Sequence, residues 1–498
     1  MPAKNRLTDS LKYTPVFLLL FPFFFVLHGY TRNYNAIDFA DSLVLFLLYA
    51  AASLAIAAMA WLFYRNMLKA ALVAILVVAF HFFFGNIQDA LTKISAQGFI
   101  SKYRFIIPAS LLVFTFVIVF IKRASASLLK VTIYLNLLFL CLILIDTGWL
   151  VKKSTGGKKT SSINTALNAV TIAAGYSKPD IYLILLDQYA GSSALRDAFH
   201  FDNTAFEKAL DIRGFHVVKD SKSNYNLTPF SMASLLSMDY LGTGMGEKKN
   251  LNVGYSYEVI RESCVINFLE ENGYQFYNYS LFDFPGKPAY KYKDFLPYGT
   301  KLITASTFTG RLIRDLRSSI LDGKLGSGSM RKKIAYEYLH FNDTILKWTN
   351  TVTTINDHNP KFIYSHLMLP HFPYYFDSLG NSLPIEKLSG FRKTDANDYT
   401  GYLKYGNKKI LELVDHILST SLRPPVIMLL SDHGFRHPDK KIDRKYDFMN
   451  LNAVYTPGKN YSLFSDSMSN VNQFRVLFNS CFGLKLPLLK DSTTDLWD

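Results

Sequence analysis

Three short runs of this sequence hold residues that could do chemistry together. Asp187 closes an apolar run in LILLDQY. A carboxylate there is a ligand for a hard cation, and its plainer role is a helix N-cap. Asp432 and His433 close a second apolar run in VIMLLSDHGFRH. They offer one oxygen and one nitrogen, a donor pair suited to zinc or manganese, and Gly434 lets the backbone turn so that both face one point. Thr228 stands before Pro229 in SNYNLTPFSMASLLSM. Proline suits the first turn of a helix, so the hydroxyl sits at the positive end of a helix dipole. Beside a divalent cation such a hydroxyl can lose its proton and attack phosphorus, although an N-cap threonine would read the same way. Each signal alone is ambiguous. An acid, a hydroxyl and an Asp-His pair at one sheet mouth form the set that metal-assisted phosphoryl transfer needs.

The elements that must position them can be read from the pattern. Short apolar runs at 180–186, 275–280, 361–366 and 425–430 predict buried strands. Helical spacing covers 203–213, 229–238, 256–272, 331–350 and 397–420. This alternation predicts an α/β domain whose mostly parallel sheet is flanked by helices, with its chemistry beyond the carboxyl ends of the strands. The sequence contains no His-Glu-x-x-His and no Gly-x-Ser-x-Gly.

The first 151 residues have a different character. Apolar segments at about 14–30, 40–63, 69–87, 105–121 and 130–151 predict a membrane domain of about five transmembrane helices. With the N-terminus inside, the inner set is Lys4, Arg6, Lys12, Arg65, Lys69, Lys122, Arg123 and Lys130. The outer set is only Arg32, Lys93, Lys102 and Arg104. This bias predicts a cytoplasmic N-terminus and a following domain on the extracytoplasmic side. Residues 152–177 read as a linker and 178–498 as one large domain. The net charge of +15 lies on membrane flanks and in scattered loops, and no recognition motif accompanies it, so nucleic acid is excluded as a partner. Cys264 and Cys481 lie far apart, and the sequence does not decide whether they pair.

With these residues in hand, 178–498 resembles the alkaline phosphatase/sulfatase superfamily. It looks most like the membrane-anchored branch that includes lipoteichoic acid synthase and phosphoethanolamine transferases. The resemblance implies that Asp187, Asp432 and His433 hold one divalent metal ion, zinc or manganese, and that a second ion can join them. It implies Thr228 as nucleophile and metal ligand, and His371, in LMLPHFPYY, as a substrate contact. His366 and His437 are further substrate-binding candidates. Where sulfatases carry Cys-x-Pro-Ser-Arg, this chain has Thr228-Pro229-Phe230-Ser231-Met232, which lacks the residue converted to formylglycine. Gln188 stands where many sulfatases have a second Asp. The expected function is therefore transfer of a phospholipid head group, phosphoethanolamine or phosphoglycerol, to a cell-envelope glycan or glycolipid. The alternatives are a sulfatase-like hydrolase of phosphate or sulfate esters, or a degenerate binding protein.

Overall fold

The computed structural model describes residues 14–94, 98–124, 128–155, 167, 170–242, 251–290, 296, 298–388, 395–436 and 442–496. The chain forms two compact units. One comprises residues 1–158 and 292–316, the other 159–291 and 317–498. The chain thus does not divide at a single linker, because residues 298–316 pack with the first unit.

The first unit holds helices α1 (Phe17–Arg32), α2 (Phe39–Tyr64), α3 (Met67–Ile94), α4 (Tyr103–Arg123) and α5 (Leu129–Thr155). Helices α2 to α5 are long and apolar enough to cross a membrane. Helix α1 is apolar but has only 16 residues, about 24 Å at 1.5 Å per residue. That is short of a hydrocarbon core of about 30 Å. Helices α1 and α5 run side by side in parallel, because their contacts climb both together. The Phe17 amide donates to Asn136 Oδ1 at 2.7 Å, Phe21 stacks near Phe139 at 4.7 Å, His28 meets Asp146 at 3.1 Å and Lys153 donates to the Thr31 carbonyl at 2.8 Å. The segment from 298 to 316 rests on the same helices. The Gly85 amide donates to the Ser306 carbonyl at 2.8 Å, Phe308 packs on Phe84, and Arg311 pairs with Asp89 at 2.7 Å. Any Cβ at position 85 would strike the Ser306 carbonyl.

The second unit is built on a six-stranded sheet of order β2-β6-β5-β1-β4-β3. The strands are β1 (Ile181–Leu186), β2 (His216–Val217), β3 (Gln275–Tyr279), β4 (Lys361–Leu367), β5 (Val426–Leu430) and β6 (Asn452–Tyr455). Strands β3, β4, β1 and β5 are mutually parallel, while β6 pairs antiparallel with both β5 and β2. Every residue of β1, β4 and β5 is buried; β1 and β5 are accordingly unbroken apolar runs rather than alternating ones, while β4 also buries Lys361, Ser365 and His366. Successive β1 side chains serve opposite faces. Ile181, Leu183 and Leu185 pack with α6 (Thr228–Ser237), α7 (Cys264–Glu271) and a helix near the C-terminus. Tyr182, Ile184 and Leu186 pack with α8 (Glu337–Thr353) and α9 (Ala396–Thr420). Each fully buried Leu or Ile contributes roughly 1.5–3 kcal/mol, so the central strands and their ends are held firmly. Below the sheet, Asp180 ties the strand starts together: it accepts from the Lys361 amide at 2.8 Å, and the Val426 amide donates to its carbonyl.

The span read as one helix over 256–272 is two, Val253–Arg261 and Cys264–Glu271. Ser263 breaks it by accepting from the Ile266 amide as an N-cap. The helix read over 331–350 likewise divides into Gly328–Ala335 and α8. Cys264 and Cys481 are free thiols. Cys264 is buried, donates to the Ser237 carbonyl, and has its pKa pushed up to about 12 by burial.

Candidate active site

Sheet register brings the two carboxylates together. Leu185 of β1 pairs with Leu430 of β5, and Asp187 and Asp432 each stand two residues further on. A step of two keeps a side chain on the same face, so both project where Leu185 and Leu430 do, toward α6. His366 of β4 pairs with Leu185 on its other side. Helix α6 begins at Thr228 and contributes its N-terminus to this face. Asp187, Asp432 and His433 are all buried, and ligand atoms from the three lie within 4.8 Å of one another.

The hydrogen bonding leaves the inward-facing atoms unused. Asp432 Oδ1 accepts from the Gln188 amide at 3.1 Å, while Oδ2 has no hydrogen-bond partner among the described residues. Asp187 Oδ2 lies 3.3 Å from His366 Nε2, and its Oδ1 is also buried without a partner. His433 Nδ1 is 2.7 Å from the Gly434 carbonyl. A carbonyl only accepts, so Nδ1 carries the proton and Nε2 carries the lone pair. That Nε2 lies 3.2 Å from Asp432 Oδ2 and 3.5 Å from Thr228 Oγ1. Two orphaned carboxylate oxygens and an imidazole lone pair converging in a buried place fit a divalent cation. Without one, burying those charges would be costly.

Electrostatics agree with that fit. Burial pushes the Asp187 carboxyl up, but His371 nearby and the hydrogen bond with His366 outweigh it and hold the group well below the usual carboxylate range. Burial pushes His433 below its ordinary value. Asp432 opposes this and Arg436 reinforces it. The ring is thus kept neutral, the form that ligates metals.

The remaining candidates are distributed unevenly. His366 is fully buried, with its Nδ1 3.4 Å from the Tyr364 hydroxyl, so it backs Asp187 rather than opening onto solvent. His371 is half-buried in the turn after β4 and donates from Nδ1 to the Phe372 carbonyl at 2.5 Å. Its pull on Asp187 puts it within electrostatic reach of the site. His437 lies outside the described residues. Arg436, which the sequence suggests is solvated, is half-buried and close enough to act on His433.

Several supporting residues escape a reading by motif. Ser231 on α6 donates to the Asp432 carbonyl, and Ser431 donates to the His433 carbonyl at 2.7 Å. Asn450 and Asn470 both donate to the Ser431 carbonyl, at 2.6 and 3.0 Å. Gln188 adopts a left-handed backbone with φ of +63°, and its buried side-chain amide makes no hydrogen bond among the described residues. Its carbonyl accepts from the Tyr399 hydroxyl at 3.0 Å, and that bond together with the bond to Asp432 holds the unfavourable conformation. Gly434 is needed for space and not for a positive φ: a Cβ there would collide with the carbonyls of Tyr446 and Met449.

The sulfatase family model matches residues 184–474, which contain every element of this site. No curated protein matches the chain. Among solved structures, the C-terminal periplasmic domain of EcEptC from Escherichia coli in complex with Zn is similar at 15% identity and a TM-score of 0.38, covering 62% of this chain and 84% of that one. The soluble domain of lipooligosaccharide phosphoethanolamine transferase A from Neisseria meningitidis is similar at 10% identity and a TM-score of 0.38, covering 62% and 90%. The sulfatase yidJ from Bacteroides fragilis is similar at 12% identity and a TM-score of 0.37, covering 61% and 74%.

Proposed function

The chain belongs to the sulfatase family, and from that premise we propose that it is a membrane-bound, metal-dependent phosphotransferase. It moves a phospholipid head group, phosphoethanolamine or phosphoglycerol, to a hydroxyl on an envelope glycan or glycolipid. What supports this reading is the 3.5 Å approach of Thr228 Oγ1 to the lone-pair nitrogen of His433, beside the unpartnered oxygens of Asp187 and Asp432. A threonine cannot become formylglycine, so the chemistry favoured at this position is phosphoryl and not sulfate transfer.

Asp187, Asp432 and His433 hold a divalent ion, zinc or manganese, with Thr228 as a further ligand. When bound, it supplies Lewis acidity and makes the Thr228 hydroxyl easier to deprotonate. Thr228 Oγ1 attacks the donor phosphorus from the N-terminus of α6, where the helix dipole favours an anion. The Thr228 O–P bond forms, the P–O bond to diacylglycerol breaks, and the threonine proton is balanced by the proton that diacylglycerol gains. The acceptor hydroxyl then forms the new O–P bond as the Thr228 O–P bond breaks, and its proton returns to Thr228 Oγ1. His371 positions the phosphoryl group or the acceptor, His366 steadies Asp187, and Arg436 adds positive charge toward an anionic substrate. The loop charges support a cytoplasmic N-terminus with this unit on the opposite, extracytoplasmic side.

Peptide mapping by mass tests the reading. The whole chain is incubated with vesicles of phosphatidylethanolamine or phosphatidylglycerol beside a Thr228→Ala control. A head-group phosphate on Thr228, absent from the control, is the expected result. Ester hydrolysis without that adduct would move the function to a hydrolase, and neither metal nor turnover would move it to a binding protein.

A further inference from the structure

The first unit holds a second constellation of ionisable groups. His28 and Asp146 pair at 3.1 Å between α1 and α5, and the Asp146 side chain is only 10% exposed. Ionisable groups on apolar helices are expensive and mark functional positions by default. Two helical turns beyond Asp146 comes Lys153, and one turn beyond His28 comes Arg32. Because α1 and α5 run parallel, these cations lie at the same end of both helices. A cavity of about 350 Å³ lies there, lined by His28, Thr31, Arg32, Asp146, Trp149 and Lys153. Thr31 is 4% exposed, and its Oγ1 is buried with no hydrogen-bond partner among the described residues. Arg32 and Lys153 carry two positive charges against the single negative charge of Asp146. Deeper along the cavity the lining turns apolar, with Phe24 and Leu142.

We infer that this groove binds the phosphate of a membrane phospholipid. Arg32 and Lys153 engage the phosphate, and Thr31 supplies a neutral donor at its rim. The His28–Asp146 pair latches the two helices and sets the floor. The acyl chains lie along Phe24 and Leu142, continuous with the hydrocarbon that surrounds apolar helices. Trp149, 54% exposed, stands at the level where indoles mark the membrane interface. A freely soluble phosphate would gain nothing from the apolar wall, so the observations favour a lipid. The site uses none of the residues assigned to metal or nucleophile roles and does not depend on the proposed reaction.

The test is native mass spectrometry of the whole chain in non-ionic detergent, titrated with phosphatidylglycerol, phosphatidylethanolamine and soluble glycerophosphate. The doubly substituted Arg32→Gln/Lys153→Gln chain is expected to lose about tenfold or more in phospholipid affinity. Thr31→Leu fills the cavity without changing charge and should also weaken binding, which keeps the test decisive if the double variant folds poorly. Unchanged lipid binding in both groove variants would overturn the proposal. So would glycerophosphate binding as tightly as intact phospholipid. Because the phosphotransferase reading is tested by the head-group adduct on Thr228 and this one by substitutions confined to the groove, failure here is distinguishable from failure of that reading.

Discussion

Thr228 Oγ1 lies 3.5 Å from His433 Nε2, and the opposite nitrogen of that ring is committed to the Gly434 carbonyl. One backbone bond thereby fixes which ring nitrogen faces the hydroxyl. The expected consequence is that Thr228→Ala lowers turnover by about a thousandfold or more, while the three remaining ligands still bind metal, though less tightly, and the melting temperature is nearly unchanged. Thr228→Ser should retain part of the rate. Metal analysis beside single-turnover kinetics separates these outcomes; a Thr228→Ala chain that still turns over would remove the threonine from the chemistry.

His366 touches Asp187 and not the open side of the site, so its effect should pass through that carboxylate. His366→Gln is expected to weaken metal affinity about 10- to 100-fold, the usual cost of losing a partner that orients a ligand. KM for the donor should move little. Metal titration against a chelating dye provides the readout, and a change in KM alone would assign His366 to substrate.

Gly434 is held between the carbonyls of Tyr446 and Met449. Gly434→Ala should cost about 2–3 kcal/mol, the range for overpacking a rigid interior. It should also displace His433. Denaturant midpoints together with metal affinity check both effects, and a neutral substitution would show that the loop yields easily.

Asp447 gives a prediction in pH. It is buried, and burial pushes its carboxyl up to about 6, with Arg444 and Asn226 opposing. The unfolded group titrates near 3.9. The folded state therefore binds this proton more tightly, and stability rises as pH falls from about 6 toward about 4. Asp447→Asn should be more stable than the natural chain at pH 7, by roughly 2–3 kcal/mol, with the gap closing by pH 4. Thermal melts of both chains across that window test the sign; a gap that widens on acidification would contradict it.

Much of this arrangement is legible in the sequence, for a physical reason. Strands β1 and β5 are buried on both faces, so their apolar runs are unbroken, and the polar residues just past each run stand out. Asp187, Asp432 and His433 announce themselves in that way. Strands β2 and β6 escape notice because His216–Val217 and Asn452–Tyr455 are too short to carry a pattern. Ser431, Asn450 and Asn470 meet only through tertiary folding, and nothing local distinguishes them. The left-handed Gln188 is likewise invisible, since glutamine carries no turn signature. The return of residues 292–316 to the first unit leaves no mark either, because its mixture of Tyr, Leu, Thr and Arg suits an ordinary surface loop.

That return has a practical consequence for handling the protein. A soluble fragment beginning after residue 158 keeps residues 298–316 but removes the helices on which they rest. Ile303, packed in the intact chain with Val26, Ile37 and Leu45, would be stranded in water together with Phe308. Such a fragment carries its own adhesive patch and will tend to precipitate or self-associate however sound its catalytic fold. Purifying the entire chain, or replacing residues 292–316 with a short polar bridge, avoids the problem.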